Sequence, residues 1–314
     1  MSPTTSAAVR ARIPFMSATV KSPDVAEAIP GGHMSQAQKA AWFQQLHQRP
    51  QGFVIPNPWD AGTARILSAL GFEALATTSA GLAFSLGRRD AQRALTREET
   101  LIHARAIVDA TPLPAAGDLE NGFGDAPEVV AETIRLAVGV GLVGGSIEDA
   151  TGNRRRPLYD LQHSVERIGA AVEAARSLPF PFTLAARAEN FLHGRPDLDD
   201  TIRRLLQYQA AGADVLYAPG LPSVDALRTV CAAVSKPVNV LMSPVFAACS
   251  VSQLAALGAR RISLGSTLVR TALSGLIGAA QEIQEAGTFT FANRVLSFAE
   301  INAFMAATED EPTP

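Results

Sequence analysis

The feature that most constrains this 314-residue chain is an eightfold alternation of short apolar runs with segments of helical period. From Met34 a helical stretch, "SQAQKAAWFQQLHQRP", leads into the run "GFVIPNPWD". Then follow "EALATTSAG", "LPAAGDLENG", "LVGGSIEDA", "FTLAARAEN", "DVLYAPG", "KPVNVLMS" and "RRISLGST", separated by segments such as "PEVVAETIRLAVGVG" and "DLDDTIRRLLQYQAAGA". Glycines in "ALGF", "GVGL" and "ALGAR" stand where helices stop. Strict alternation implies a parallel sheet, and eight repeats in about 250 residues imply a closed (β/α)8 barrel over residues 34–305. An open doubly wound sheet is the alternative, weakened because no GxGxxG follows the first run. Residues 1–33, rich in Ser, Thr, Pro and Ala, are expected to be a disordered extension, or an upstream start with the natural one at Met34. Residues 306–314 are expected to be a tail.

Composition excludes several functions. A formal charge of −3 offers no basic footprint for nucleic acid. No apolar run reaches the roughly 18–20 residues of a membrane span. Two cysteines, Cys231 and Cys249, make neither a disulfide framework nor a metal knuckle. The chain reads as soluble and cytoplasmic. Lysines stand only at positions 21, 39 and 236, none at the end of a run, which argues against a Schiff-base aldolase.

In such a barrel, chemistry sits at the C-terminal ends of the strands. Those ends carry Trp59 and Asp60, Ser79 to Gly81, Asp118 and Glu120, Glu148 and Asp149, Arg187, Glu189 and Asn190, Tyr217, Asn239, and Ser266 and Thr267; Asp90 follows in the loop after strand two. Acids crowd strands two to five. Within a strand, Asp118 and Glu120 would point to one side and repel unless a cation lay between them. A lone acid here is commonly a cap or ion-pair partner, but several converging acids with no His or Cys cluster suit Mg²⁺ or Mn²⁺. A network through Arg187, Arg88 or Arg89 is the structural alternative.

The motifs "SAGLAFSLGRRD", "GDLENGFGD", "GGSIEDATG" and "LAARAENF" resemble, in order, those of the phosphoenolpyruvate mutase/isocitrate lyase superfamily. The resemblance spans most of residues 40–300. It implies a Mg²⁺-dependent barrel, commonly a homotetramer (a dimer is the other state considered) exchanging a C-terminal helix, for which "VLSFAEINAFM" supplies late helical material. It also implies metal held by Asp118, with Glu120, Glu148 and Asp90 around its waters. Ser79 with the amides of Ala80 and Gly81 would receive a substrate carboxylate, with Thr78 as a one-residue alternative to Ser79. Arg187 would pair with a carboxylate or phosphonyl group, and Tyr217 and Asn239 would complete the substrate surface. Arg187, Glu148 and Ser79 are the expected catalytic residues.

The segment after strand four, "EDATGNRRRPLYDL", departs from that pattern, being short and without the cysteine of the superfamily's lyase lid. Asn153, Arg154 to Arg156, Tyr159 and His193 are the candidates for lid contacts. The expected activity is carbon–carbon cleavage, by retro-aldol or decarboxylation, of a small 2-oxo or 2-hydroxy di- or tricarboxylate. The alternatives are carbon–phosphorus chemistry on phosphonopyruvate or phosphoenolpyruvate, and a non-catalytic binding protein on a degenerate barrel.

Overall fold

Every expected run becomes a strand: β1 (Phe53–Ile55), β2 (Leu75–Ala76), β3 (Ala115–Asp118), β4 (Gly144–Glu148), β5 (Thr183–Arg187), β6 (Val215–Tyr217), β7 (Val238–Leu241) and β8 (Ala259–Ser263). The computed structural model describes residues 34–90 and 94–306, so the expected 1–33 extension and all but the first residue of the expected tail lie outside the described residues. The strands form one parallel sheet in the order β1-β8-β7-β6-β5-β4-β3-β2. The seam between β1 and β2 is bridged by Ala76 N donating to Pro56 O at 3.0 Å. Asn57 strengthens it, its amide donating to Thr77 O at 3.0 Å. The sheet thus curls into the barrel that the alternation implies.

The helices are α1 (Gln36–Leu46), α2 (Ala61–Ala69), α3 (Ser79–Ser85), α4 (Arg97–Asp109), α5 (Pro127–Gly139), α6 (Leu161–Arg176), α7 (Leu198–Ala210), α8 (Val224–Ala233), α9 (Val251–Ala256), α10 (Thr267–Ala286) and α11 (Phe298–Ala306). Most start on a residue whose side chain accepts an orphan first-turn amide: Ser35 for α1, Asp60 for α2, Thr96 for α4, Asp160 for α6. Asp60 is therefore a cap rather than a site residue. Helix α1 packs Phe43 and Leu46 against Phe53 and Ile55, covering the N-terminal end of the barrel. Gly144 makes room for it, since a Cβ there would lie 2.7 Å from the Phe43 ring. No helix among the described residues is long and apolar enough to cross a membrane.

Two features of the packing bear on function. Bulky branched side chains usually fill the interior of such barrels, but here Ala76, Ala116, Gly117, Gly145 and Ser146 border an internal cavity instead. And α10 leaves Leu273, Leu276, Ile277 and Ile283 exposed, with Phe289, Val295 and Phe298 beyond it.

Candidate active site

At the C-terminal mouth, β3, β4 and β5 run in register, and their last residues meet at one guanidinium. Arg187 Nη1 stands 3.0 Å from Asp118 Oδ1, Nη2 3.1 Å from Glu148 Oε2, and Nε 2.8 Å from Glu189 Oε1. Its plane lies over Tyr217, 5.1 Å from the ring centroid. Burial alone would lower the Arg187 pKa, but Glu189, Glu148 and Asp118 outweigh it and hold the group firmly cationic. Burial also pushes the Glu148 and Glu189 carboxyls upward, and Arg187 opposes that rise. The cation beside Asp118 is thus an arginine of the chain itself. Of its five N–H donors, three serve these acids and two remain.

Glu120 corrects the strand argument. β3 ends at Asp118, and Glu120 lies beyond it with φ +46°, in the left-handed region where non-glycine residues are uncommon. It shares no ion pair with Arg187 among the described residues. Burial, then repulsion from Asp118 and Asp90, pushes its carboxyl up to about 7 against the opposing pull of Arg187. The neighbouring glycines have a packing role: a Cβ on Gly124 would lie 2.5 Å from the Val129 side chain, and one on Gly122 3.0 Å from Val130. They let the loop seat on the first turn of α5.

Two adjoining cavities, of about 200 and 260 Å³, meet at Ser79, Asp90, Arg187 and Leu192. They suit a ligand smaller than a drug-sized molecule. Asp90, Asp118, Glu120, Glu148 and Glu189 border them, against two arginines, Arg187 at the mouth and Arg261 deeper in the inner cavity. That donor set is all oxygen and carries excess negative charge, so its chemistry fits a hard dication. Among the described residues no three of these side chains form a ready-made chelating cluster.

The other expected residues divide. Ser79 N donates to Asp118 Oδ2 at 3.0 Å, leaving its hydroxyl without a partner among the described residues. Thr78 is the N-cap of α3, and Gly81 N donates to its hydroxyl at 3.2 Å. Both Thr78 and Ser79 border the inner cavity, the Thr78 hydroxyl and the Gly81 amide already engaged with each other. A Cβ on Gly81 would lie 2.8 Å from Trp59, so that glycine serves packing. Ala80 and Tyr217 border the inner cavity; burial pushes the Tyr217 phenol up to about 12, so it stays neutral. Asn239, also on that cavity, donates to Ser263 Oγ at 2.9 Å and accepts from Arg261 Nε at 2.8 Å.

Several candidates lie elsewhere. Asp149 alternates away from Glu148 and binds Arg204, Tyr208 and the Glu189 amide behind the barrel wall, a structural network. Tyr159 is buried, its hydroxyl donating to Asp125 at 2.6 Å and its ring beneath the Arg167 guanidinium, so it anchors a loop rather than a lid. Arg154, Arg155 and Arg156 are exposed, and none borders either cavity. His193 does border the outer one, 3.8 Å from Glu189. Arg88 pairs with Glu99 at 2.8 Å, so it does not neutralise the mouth. Neither cysteine borders these two cavities; Cys231 packs beneath Gly258, and burial pushes its thiol up to about 11. Sequence reasoning missed Thr77, whose hydroxyl accepts from Asp118 N at 2.8 Å. It also missed Asn57, whose Oδ1 accepts the amides of Leu264 and Gly265, and the inward-facing Arg261. The Arg187–Glu189 spacing signalled a shared face; the others left no distinctive mark.

The phosphoenolpyruvate phosphomutase family profile matches residues 43–284. A crystal structure from Burkholderia cenocepacia J2315, carried under the provisional description lyase/mutase, superposes with TM-score 0.85 at 56% identity, covering 88% of this chain and 99% of its own. A 2-methylisocitrate lyase of Shewanella oneidensis is 32% identical over 208 residues, 64% of this chain and 69% of the relative. An oxaloacetate decarboxylase of Bradyrhizobium sp. is 30% identical over 237 residues, 72% of this chain and 76% of the relative.

Proposed function

The chain belongs to the phosphoenolpyruvate mutase/isocitrate lyase superfamily, and from that premise we propose that it is a Mg²⁺-dependent carbon–carbon lyase acting on a small 2-oxo or 2-hydroxy di- or tricarboxylate. The observation that carries this reading is the gathering of Asp118, Glu148 and Glu189 on Arg187 beside cavities of small-molecule size. We take it to act as a cytoplasmic homo-oligomer in which the exposed apolar face of α10 is covered by a second copy. The activities of the similar lyase and decarboxylase support the chemical class.

Asp118, assisted by Glu120, Glu148 and Asp90, would hold the ion, with Mn²⁺ as its substitute. Once bound, it supplies Lewis-acid charge to an oxygen that turns negative as the carbon–carbon bond breaks. Arg187 offers its two remaining donors, with the Ser79 hydroxyl and Ala80 amide, to orient a substrate carboxylate. Burial raises the Glu120 carboxyl in the metal-free site, and a dication beside it would favour its charged form. The eight-residue connection from Thr151 to Leu158 closes on itself through Thr151 N to Pro157 O and carries no cysteine. That favours chemistry with little demand for a thiol acid, decarboxylation above all.

Carbon–phosphorus chemistry is the second reading, favoured by the family whose profile matches. Incubating the protein with Mg²⁺ and, separately, oxaloacetate, 2-methylisocitrate, 2,3-dimethylmalate and phosphonopyruvate distinguishes them. Release of a carbon–carbon cleavage product, silenced by chelator, supports the first reading. Turnover of phosphonopyruvate alone, to pyruvate and phosphate by hydrolysis or to phosphoenolpyruvate by rearrangement, would replace it with the second, and no turnover of any would favour the binding-protein alternative.

A further inference from the structure

Below the mouth, β8 sends an arginine into the barrel where no acid meets it. Arg261 is 6% exposed. Its Nε donates to Asn239 Oδ1 at 2.8 Å, and Asn239 in turn donates to Ser263 Oγ at 2.9 Å, which fixes both side chains. Its Nη atoms have no hydrogen-bond or ion-pair partner among the described residues, and the side chain borders the inner cavity of about 200 Å³. The titratable groups around it are Tyr217, Arg187 and His47. Tyr217 is neutral, Arg187 repels it, and His47 is held neutral with a pKa near 3, by burial and then by the charge of Arg261. Burial brings the guanidinium down to about 10, so it remains charged at neutral pH.

A buried cation without a counter-ion is costly, and folded proteins ordinarily pair it. Here the space beside it is open and lined by small residues rather than filled, so the missing anion has a place to sit. We propose that Arg261, with Asn239 and Ser263, forms a second anion subsite inside the barrel, receiving the carboxylate at the end of the substrate remote from the bond that breaks. The subsite rests on the proposed carboxylate lyase reading and narrows it to diacids, one acid group at the Arg187 mouth and the other reaching inward past Tyr217. Specificity then follows from charge: a monoacid of the same length leaves the Arg261 guanidinium unpaired.

The test compares succinate with butyrate, equal in chain length and differing by one carboxylate, by calorimetric titration of the full chain in Mg²⁺. Pyruvate reports on the mouth alone. The parent should prefer succinate by about 10- to 100-fold, the scale of charge-assisted hydrogen bonds. Arg261→Met should abolish that preference and leave pyruvate binding within about threefold. It should melt no lower than the parent without ligand, because it replaces an unpaired buried charge by an apolar chain. Arg261→Lys, which keeps the charge, should retain part of the preference and serves where the Met variant does not fold. A succinate preference that survives in Arg261→Met or is unchanged by it, with or without a fall in melting temperature, would make Arg261 structural and overturn the subsite alone. Absence of pyruvate binding to the parent would defeat the reading of the mouth on which the subsite rests.

Discussion

Arg187→Met removes the one cation at the centre of three carboxylates and leaves Asp118, Glu148 and Glu189 facing one another. Removing one partner of a buried ion pair costs about 3–5 kcal/mol because the remaining charge is left uncompensated. At about 2–4 °C per kcal/mol, the expected loss is about 6–20 °C in melting temperature at pH 8 without divalent metal. The acids can partly escape by protonation. Burial already raises the Glu148 and Glu189 carboxyls, and without Arg187 nothing opposes that rise. An acid whose folded-state pKa lies above its unfolded value loses stability as pH climbs through that interval. The deficit of the variant should therefore be smaller at pH 5 than at pH 8. Millimolar Mg²⁺ should restore part of it by supplying the missing positive charge, and should stabilise the variant by more degrees than it stabilises the parent. Differential scanning fluorimetry at both pH values, with chelator or with Mg²⁺, reads all three effects. A loss below about 2 °C at pH 8, with no dependence on pH, would refute the view of Arg187 as the counter-charge of the mouth.

His47, 4% exposed, has its pKa depressed from 6.5 to about 3, first by burial and then by Arg261. A depressed histidine contributes stability that is full above 6.5 and is lost as pH falls toward 3, so about 2 kcal/mol should vanish between pH 7 and 4.5; His47→Gln should shrink the acid-induced drop in melting temperature by several degrees, and an unchanged drop would place the acid lability elsewhere. The double variant Cys231→Ser, Cys249→Ser should keep most turnover of whichever substrate is identified, compared at matched metal loading; a loss of two or more orders of magnitude in Cys249→Ser alone, with the fold intact, would reinstate a thiol-dependent lyase. Light scattering should give a mass that is a multiple of 33.0 kDa, and Leu276→Asp with Ile277→Asp should lower it; a monomeric parent would contradict the proposed covering of α10.

The barrel was legible because strand ends, glycine stops and helix periods repeat eight times, so that an error in one element leaves the count intact. The acids at the strand ends were legible for the same reason, since topology brings the last residues of neighbouring parallel strands together whatever their side chains do. Partners were less so. Nothing local tells that Arg187 is held by Asp118, Glu148 and Glu189 together, or that Asp149 turns outward to Arg204 and Tyr208. Glu120 escaped the period-2 rule because β3 stops two residues before it and the chain turns left-handed there. Arg261 was hidden in "RRIS", where one arginine points outward and the other inward, and only the register of β8 against β1 and β7 decides which.

The central claim, that the acids of the mouth hold a divalent ion through Asp118, is tested most directly by titrating Mg²⁺ into the parent and into Asp118→Ala by isothermal calorimetry. The account predicts one site per chain in the parent and no measurable binding in a variant that keeps its circular dichroism spectrum. Equal Mg²⁺ affinity in the two proteins would contradict it.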